Sequence, residues 1–313
     1  MTTNLNFVTL DVFTTKTFEG NPLGVVFLPP PTDLQPSRHQ KQIIAREFNF
    51  AETIFVHVKC GNGESRKIEI FTDSVEIPFA GHPTIGAASW FLYHVAEKDA
   101  PVRNLSLKAG DFPIALQDES GSVVTATVAH NVHIHRNQFS VDRALKLLPS
   151  MKPYLTPTSI TLFSVVRGMS QVLVELPSLE ALRSVTTANG GEEISSSVLD
   201  AGWGEGLVTA YFYVKHVKDE KLGKKVIRAR SILGNLEDPA TGSAASGLVA
   251  LLSLKEGRMG QFTYDIVQGV EIGRRSEIEV DVVVGEVGKL ESLVLKGSAV
   301  KVSEGKIVLP EDF

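Results

Sequence analysis

Leu236-Glu237-Asp238-Pro239-Ala240-Thr241-Gly242-Ser243-Ala244-Ala245-Ser246-Gly247-Leu248-Val249-Ala250-Leu251-Leu252 decides how the rest of the chain is read. Pro239 suits the first turn of a helix, where its missing N–H costs nothing, and Asp238 before it suits the N-cap. The small side chains of Ala240, Thr241, Gly242 and Ser243 leave the first N–H groups of that helix open. With the positive end of the helix dipole, those donors form a seat for a carboxylate or phosphate. Leu248, Val249, Leu251 and Leu252 make the helix largely apolar, which predicts burial inside a domain. A capped core helix with small residues for close packing would read the same way, so this stretch alone leaves the ligand open.

A second copy changes the balance. A shift of 156 positions (238 less 82) brings His82-Pro83-Thr84-Ile85-Gly86-Ala87-Ala88 under Asp238-Pro239-Ala240-Thr241-Gly242-Ser243-Ala244, and both read polar-Pro-x-x-Gly-small-Ala. The same shift lays Glu52 to Val58 under Val208 to Val214, two runs of strand composition, with no gap. Val25-Val26-Phe27-Leu28-Pro29 resembles Leu173-Val174-Glu175-Leu176-Pro177 at a slightly shorter offset. The chain therefore reads as two copies of one domain, meeting near residues 128 and 129.

Length and composition suit that division. A chain of 313 residues, 43% hydrophobic and 21% charged, is ample for two cores of ordinary globular composition. A net charge of -5 gives no reason to expect nucleic acid. The basic run Lys221 to Arg230 reads as a solvated strand face rather than a phosphate track. No apolar run reaches membrane-spanning length and the N-terminus lacks the pattern of a signal peptide, so the default location is the cytosol. One cysteine, Cys60, excludes an intramolecular disulfide and a cysteine-rich metal site.

Working outward, strands are predicted at Phe7 to Phe13, Leu23 to Leu28, Ala51 to Val58, Lys67 to Phe71 and Val75 to Ile77. Ser37 can cap a short amphipathic helix through Ile44 and Phe48, and Cys60-Gly61-Asn62-Gly63 reads as a hairpin turn. The first central helix is predicted from Pro83 to about His94, with three short strands after it. The second half repeats the order, with helices at Val141 to Leu148 and Leu179 to Val185 and strands before and after its own central helix. The polar stretch Asn189 to Gly204 has no counterpart in the first half and reads as a mobile surface loop near the site. The pattern is α+β: many short strands around one apolar helix per half, as in a barrel-like sheet wrapped on a helix.

Four segments carry a family resemblance. Gly20-Asn21-Pro22-Leu23, Ala51-Glu52-Thr53-Ile54-Phe55-Val56, Phe79-Ala80-Gly81-His82-Pro83-Thr84 and Glu237-Asp238-Pro239-Ala240-Thr241-Gly242-Ser243-Ala244 together resemble the phenazine biosynthesis PhzF-like proteins, in order and over nearly the whole chain. The resemblance implies the diaminopimelate epimerase-like fold: two pseudo-symmetric domains, each a β-barrel-like sheet around a central α-helix, with the active site in the cleft between them. It implies a first domain of residues 1–128 completed by a strand from about residues 301–313, and a second of residues 129–300. Epimerases of this fold use a cysteine from each domain, and a chain whose one cysteine is Cys60 cannot run that two-thiol chemistry.

By the same resemblance Glu52 is the catalytic acid and base of a cofactor-independent isomerase, moving a proton within a small carboxylated, unsaturated substrate. Its apolar surroundings, Phe50-Ala51 and Ile54-Phe55, suit a carboxyl group that both takes and returns a proton. His82 and Asp238, matched in the repeat, would hydrogen-bond the substrate's amine or hydroxyl and steady developing charge. Gly242 and Ser243 would receive its carboxylate, and Asn21, Gly81 and Thr241 complete the substrate-binding set. Two rivals remain open: a catalytically silent anion-binding protein of the same fold, and a metal-dependent hydrolase using Glu52, His82 and Asp238, although no compact ligand motif of the H-x-x-x-H kind is present. The expected partner is a small-molecule carboxylate, with a homodimer as an open assembly and no cofactor, metal, nucleic acid or membrane.

Overall fold

A computed structural model describes residues 4–59, 63–95, 102–117, 121–257, 259–286 and 289–311. Cys60, Gly61 and Asn62 of the expected hairpin turn lie outside the described residues. The chain divides into two compact units: one runs to Thr127 and resumes at Lys296, and the other is Val128–Leu295. No described helix is long and apolar enough to cross a membrane.

The first unit contains β1 (Asn4–Val12), β2 (Asn21–Phe27), α1 (Arg38–Phe48), β3 (Glu52–Val56), β4 (Ser65–Phe71), β5 (Glu76–Ile77), α2 (Gly81–Ser89), β6 (Asn104–Leu107), β7 (Gly110–Leu116) and β8 (Val124–Thr127). The chain continues with β9 (His133–Ile134), α3 (Val141–Leu147), β10 (Ile160–Val166), β11 (Gly168–Glu175), α4 (Leu179–Arg183), β12 (Gly206–Asp219), β13 (Lys224–Leu233) and β14 (Leu236–Asp238). It ends with α5 (Gly242–Glu256), β15 (Gly260–Gln268), β16 (Ser276–Val284), β17 (Leu290–Gly297) and β18 (Ala299–Val308). β18 belongs to the first unit, where it pairs antiparallel with β1 from Asn4↔Val308 to Val12↔Ala299.

Local chemistry sets the helices. Ser37 and Gln40 form a reciprocal capping box at the start of α1, and Asn49 ends it in the left-handed conformation. All nine residues of α2 are buried, and β1, β2, β3, β6, β8 and β18 all touch it, so the sheet wraps the helix. This helix begins at Gly81, two residues before the expected start, and passes into a π turn at Trp90–His94. Gly86 lets it approach β2, for a Cβ there would stand 2.3 Å from Leu23 Cδ2. In the second unit α5 is flanked by β10, β11, β15 and β16, and Gly257 ends it with φ 63°.

The start of α5 corrects one expectation. The helix opens at Gly242 with Thr241 at the cap position, not at Pro239, and Asp238 is the last residue of β14, facing Ser231 on β13. The strand hydrogen bonds available to Asp238 hold it extended, and the turn through Pro239 and Ala240 separates it from the helix.

The repeat is confirmed as a topology but not as a gapless alignment. In the first unit β2 and β3 pair parallel, β4 pairs antiparallel with β3 and β5, and β4 and β6 pair parallel. In the second, β11 and β12 pair parallel, β13 pairs antiparallel with β12 and β14, and β13 and β15 pair parallel. Ile54 faces Ile70 and Ile70 faces Ile77, while Tyr211 faces Ser231 and Ser231 faces Asp238. The offset is therefore 157 on the first of these strands (211 less 54) and 161 on the other two (231 less 70, 238 less 77). The helix starts also differ by 161 (242 less 81). A shift of 156 slips one residue on the strand, enough to turn its side chains to the wrong face, and five at the helix. The true counterpart of His82 is Ser243, and that of Asp238 is Ile77.

The basic run is only partly a solvated face. Lys224 and Lys225 are exposed, but the Arg228 side chain is largely covered against Glu271 and that of Arg230 is buried against Glu237. Arg230 also donates to the backbone oxygens of Leu182 in the last turn of α4 and of Val185 just past it. It ties that helix to the sheet.

Two predictions follow from the first unit. Ile307 and Leu309 pack on the core cluster of Leu5, Val26, Leu28, Ile44, Phe55 and Phe71. Ending the chain at Val300 therefore strips β1 of one of its two neighbours and should cost on the order of 3 kcal/mol, read as a lower denaturation midpoint; an unchanged midpoint contradicts this role for β18. Glu69 lies between Lys41 and His57, at 2.7 Å from His57 Nε2. Burial opposes its charge, but hydrogen bonds from His57 and Lys41, with their charges, lower the carboxyl from 4.5 to about 2. A depressed folded value means the stabilisation is full above about pH 4.5 and is lost as pH falls through about 2. Glu69→Gln should therefore cost on the order of 2 kcal/mol near pH 7, and the gap between the two proteins should narrow below pH 4.5 in acid-unfolding curves.

Candidate functional site

Glu52 opens β3 directly beside Leu23 of β2, and the four residues behind it are buried. Its side chain is 18% exposed, whereas His82, second residue of α2, is 3% exposed. The sheet end and the helix start bring them together, with His82 Nδ1 2.8 Å from Glu52 Oε2. With Glu52 ionised, Nδ1 carries the hydrogen and donates it, and in the neutral imidazole that leaves Nε2 as an acceptor. That Nε2 is buried and has no partner among the described residues. His82 plays no capping part: the N-cap of α2 is Ala80, without a side-chain bond. Asn21 begins β2 opposite Val12 and is 1% exposed, and Gly81 is the first residue of α2. A carboxylate bonded to an imidazole whose second nitrogen is buried can take, hold and return a proton while that nitrogen grips a donor.

In the second unit, Asp238 Oδ2 accepts from the Thr241 hydroxyl at 2.6 Å, and Oδ1 accepts from Ala240 N–H at 3.4 Å. Asp238 thus shapes the turn ahead of α5 instead of capping the helix. Helical bonding begins with Ala245 N–H to Thr241 O, so the N–H groups of Gly242 and Ser243 precede it. The Thr241 N–H goes to Gln268 Oε1 at 3.2 Å. Neither Gln268 nor Tyr211, which also bonds it, stands out in the sequence, because each ends or interrupts an otherwise apolar strand run without a motif.

Sequence reading also missed a trio of metal-ligand type, His133, His135 and Asp200, whose ligand atoms all lie within 4.8 Å of one another. Its bonds are already assigned. Asp200 accepts from the N–H groups of Arg136 and Asn137 and meets His133 Nε2 at 2.8 Å. The two N–H groups, against some cost of burial, and His133 hold its carboxyl well below the usual carboxylate range. His135 Nδ1 accepts the Asp200 N–H at 3.0 Å, so Nε2 carries the hydrogen towards Ser164 Oγ at 2.8 Å. Burial, with His133 next, pushes the His135 imidazole down. A lone pair that already receives an N–H does not fit a metal, and an Nε2–H cannot take a proton from Ser164. The trio is a clamp. With Val198 and Leu199 buried beside it, it pins the segment expected to be a mobile loop onto the second core. Asp200→Ala should therefore make residues 189–204 a site of limited proteolysis near neutral pH; cleavage no faster than in the parent chain contradicts the clamp.

Two surface depressions of the second unit, one lined by Glu175, Lys215 and Lys255 and the other by Arg136, Phe139 and Ile160, include none of Glu52, His82, Asp238 or Ser243.

A family model described as phenazine biosynthesis-like protein, PhzC-PhzF, matches residues 10–305. The trans-2,3-dihydro-3-hydroxyanthranilate isomerase of Pseudomonas fluorescens is 30% identical over 315 residues, covering 97% of this chain and 99% of that protein. An uncharacterized isomerase of Mesorhizobium japonicum is 30% identical over 310 residues, with 97% and 99% covered. The crystal structure of a Bacillus anthracis phenazine biosynthesis protein of the PhzF family shares the fold, with a TM-score of 0.74 at 22% identity over 97% of this chain and 99% of that one.

Proposed function

This chain belongs to the phenazine biosynthesis PhzF-like family and is an isomerase, and on that premise we propose that it moves a proton within a small carboxylated, unsaturated substrate, with Glu52 as acid and base and no cofactor. The observation that carries the reading is the 2.8 Å Glu52–His82 pair with its buried Nε2, which has no partner among the described residues. The Glu52 carboxylate takes a proton from one substrate carbon, holds it as the neutral acid and delivers it to another carbon. Protons balance, and the double bond moves. His82 Nε2 accepts a hydrogen from the substrate's hydroxyl or amine, an interaction that strengthens as charge develops. Asn21, two residues before the Leu23 that faces Glu52, and Gly81, next to His82, complete the reading in the first unit.

Within the second unit, the same reading gives Asp238 to a polar group of a substrate and the N–H groups of Gly242 and Ser243, beside Thr241, to a carboxylate. A protein that only bound an anion would have no use for an acid and base pair. At the counterpart positions of Glu52 and His82 the second unit carries Thr209 and Ser243, so the pair is not a requirement of the fold.

Glu52→Gln keeps size and hydrogen bonding but removes the base. Proton exchange into trans-2,3-dihydro-3-hydroxyanthranilate in deuterated water, the substrate class in the names of several relatives, should fall about 10²- to 10⁴-fold. Binding of a carboxylated analogue should change little, since its carboxylate contacts are backbone N–H groups. Full exchange in the variant removes Glu52 from the chemistry. Loss of a bound metal with the substitution would favour the hydrolase.

A further inference from the structure

We propose that Gln268 is a positioning residue of the second unit, which through Thr241 sets the Asp238 carboxylate and the turn ahead of α5 for their work on the substrate; its catalytic consequence rests on the function proposed above. Gln268 ends β15 and is fully buried. Its Nε2 donates to Asp238 O at 2.7 Å and to Thr241 Oγ1 at 3.1 Å. Its Oε1 accepts from the Tyr211 hydroxyl at 2.9 Å and from Thr241 N–H at 3.2 Å. Burial pushes the Tyr211 hydroxyl far above its ordinary value, with the Asp238 charge adding, so it stays protonated and donates. Two donors on one side and a backbone oxygen on the other allow only one orientation of the amide. Thr241 Oγ1, receiving from Gln268, turns its own hydrogen to Asp238 Oδ2. The next residue presses the same point from behind: Gly269 has φ 72°, and a Cβ there would stand 2.7 Å from Pro239 O.

The first unit supplies an internal control. Arg66 faces Leu105 as Ile227 faces Ile266, both pairs 161 positions apart (227 less 66, 266 less 105), so Gln268 corresponds to Leu107. By the registers above Tyr211 corresponds to Ile54 and Asp238 to Ile77, and Thr241, at the cap position, corresponds to Ala80. Every counterpart is apolar. The same strands and helix therefore assemble without one of these hydrogen bonds, and burying a glutamine and a tyrosine hydroxyl is unfavourable unless each polar atom is satisfied. Packing does not account for the network. What it adds is a fixed direction for the Asp238 carboxylate.

The test uses Gln268→Met, which fills the volume without hydrogen bonds, and Gln268→Glu, which keeps the acceptor oxygen; Tyr211→Phe is the gentler variant should the first fail to fold. Amide exchange of Thr241, read by NMR against amides in the body of α5, needs no substrate. It should quicken about 10-fold or more in Gln268→Met and return towards the parent rate in Gln268→Glu. With trans-2,3-dihydro-3-hydroxyanthranilate as probe, kcat should fall about 10- to 100-fold in Gln268→Met, and adding Thr241→Val should lower it little further, because both act on one carboxylate. Unchanged Thr241 exchange in Gln268→Met, or losses in kcat that simply multiply in the double variant, overturns the proposal. A parent protein that leaves the probe untouched speaks against the proposed function, while Thr241 exchange still decides the place of Gln268.

Discussion

Each unit must enclose a helix on nearly every side within a sheet of short strands, and most of the molecule answers to that constraint. A helix so enclosed needs side chains small enough for strands to come close. Gly86 is the sixth residue of its helix and meets Leu23; Gly247 is the sixth of the other and meets Gln171 and Phe163. Enclosure also explains where the chemistry gathers. The body of α2 is surrounded by strands, so polar function is left to its first turn and to the strand ends beside it, which is where His82 and Glu52 stand.

The two copies keep the architecture and divide the polar residues. The first unit carries the carboxylate–imidazole pair and fills the layer around it with Ile54, Ile70, Ile85 and Leu107, all buried. In the second unit the corresponding positions hold Tyr211, Ser231, Ser246 and Gln268, equally buried. Isoleucine packs without regard to direction, whereas a glutamine with four hydrogen bonds tolerates one orientation. The fold is thus satisfied twice by the same pairing pattern, and the two copies are free to differ in what their cores orient.

Not every polar cluster points to chemistry. His133, His135 and Asp200 are ligand types at ligand distances, yet their donors and acceptors are used on backbone groups and on Ser164. The Arg230 and Glu237 side chains are likewise buried and bonded to one another, and Arg230 is bonded to the backbone at the end of α4 and just past it. His82 differs because one of its nitrogens is buried with no partner among the described residues, an unfavourable state unless another molecule relieves it. That contrast separates a clamp from a site.

Composition and strand-like runs around one small-residue helix per half determined the class of fold, because period and small-residue placement are local properties of a chain, and the doubled Pro-x-x-Gly pattern pointed to two copies although its matched residues are not counterparts. The four motifs likewise brought Glu52, His82 and Asp238 forward. Alignment of the copies was beyond the sequence: a gapless shift matched His82 to Asp238 because both precede a proline, while strand register, set by hydrogen bonds between distant segments, pairs His82 with Ser243. The true start of α5 was hidden for the same reason, since Asp238 is held in a strand by Ser231, 7 positions earlier (238 less 231), and no local capping rule sees that bond. Only the tertiary structure brought Gln268 and Tyr211 to the turn before α5 and showed that Asp200 closes the supposed mobile loop. Those contacts join residues dozens of positions apart, and a side chain's partner across such a distance is decided by packing, not by its neighbours in sequence.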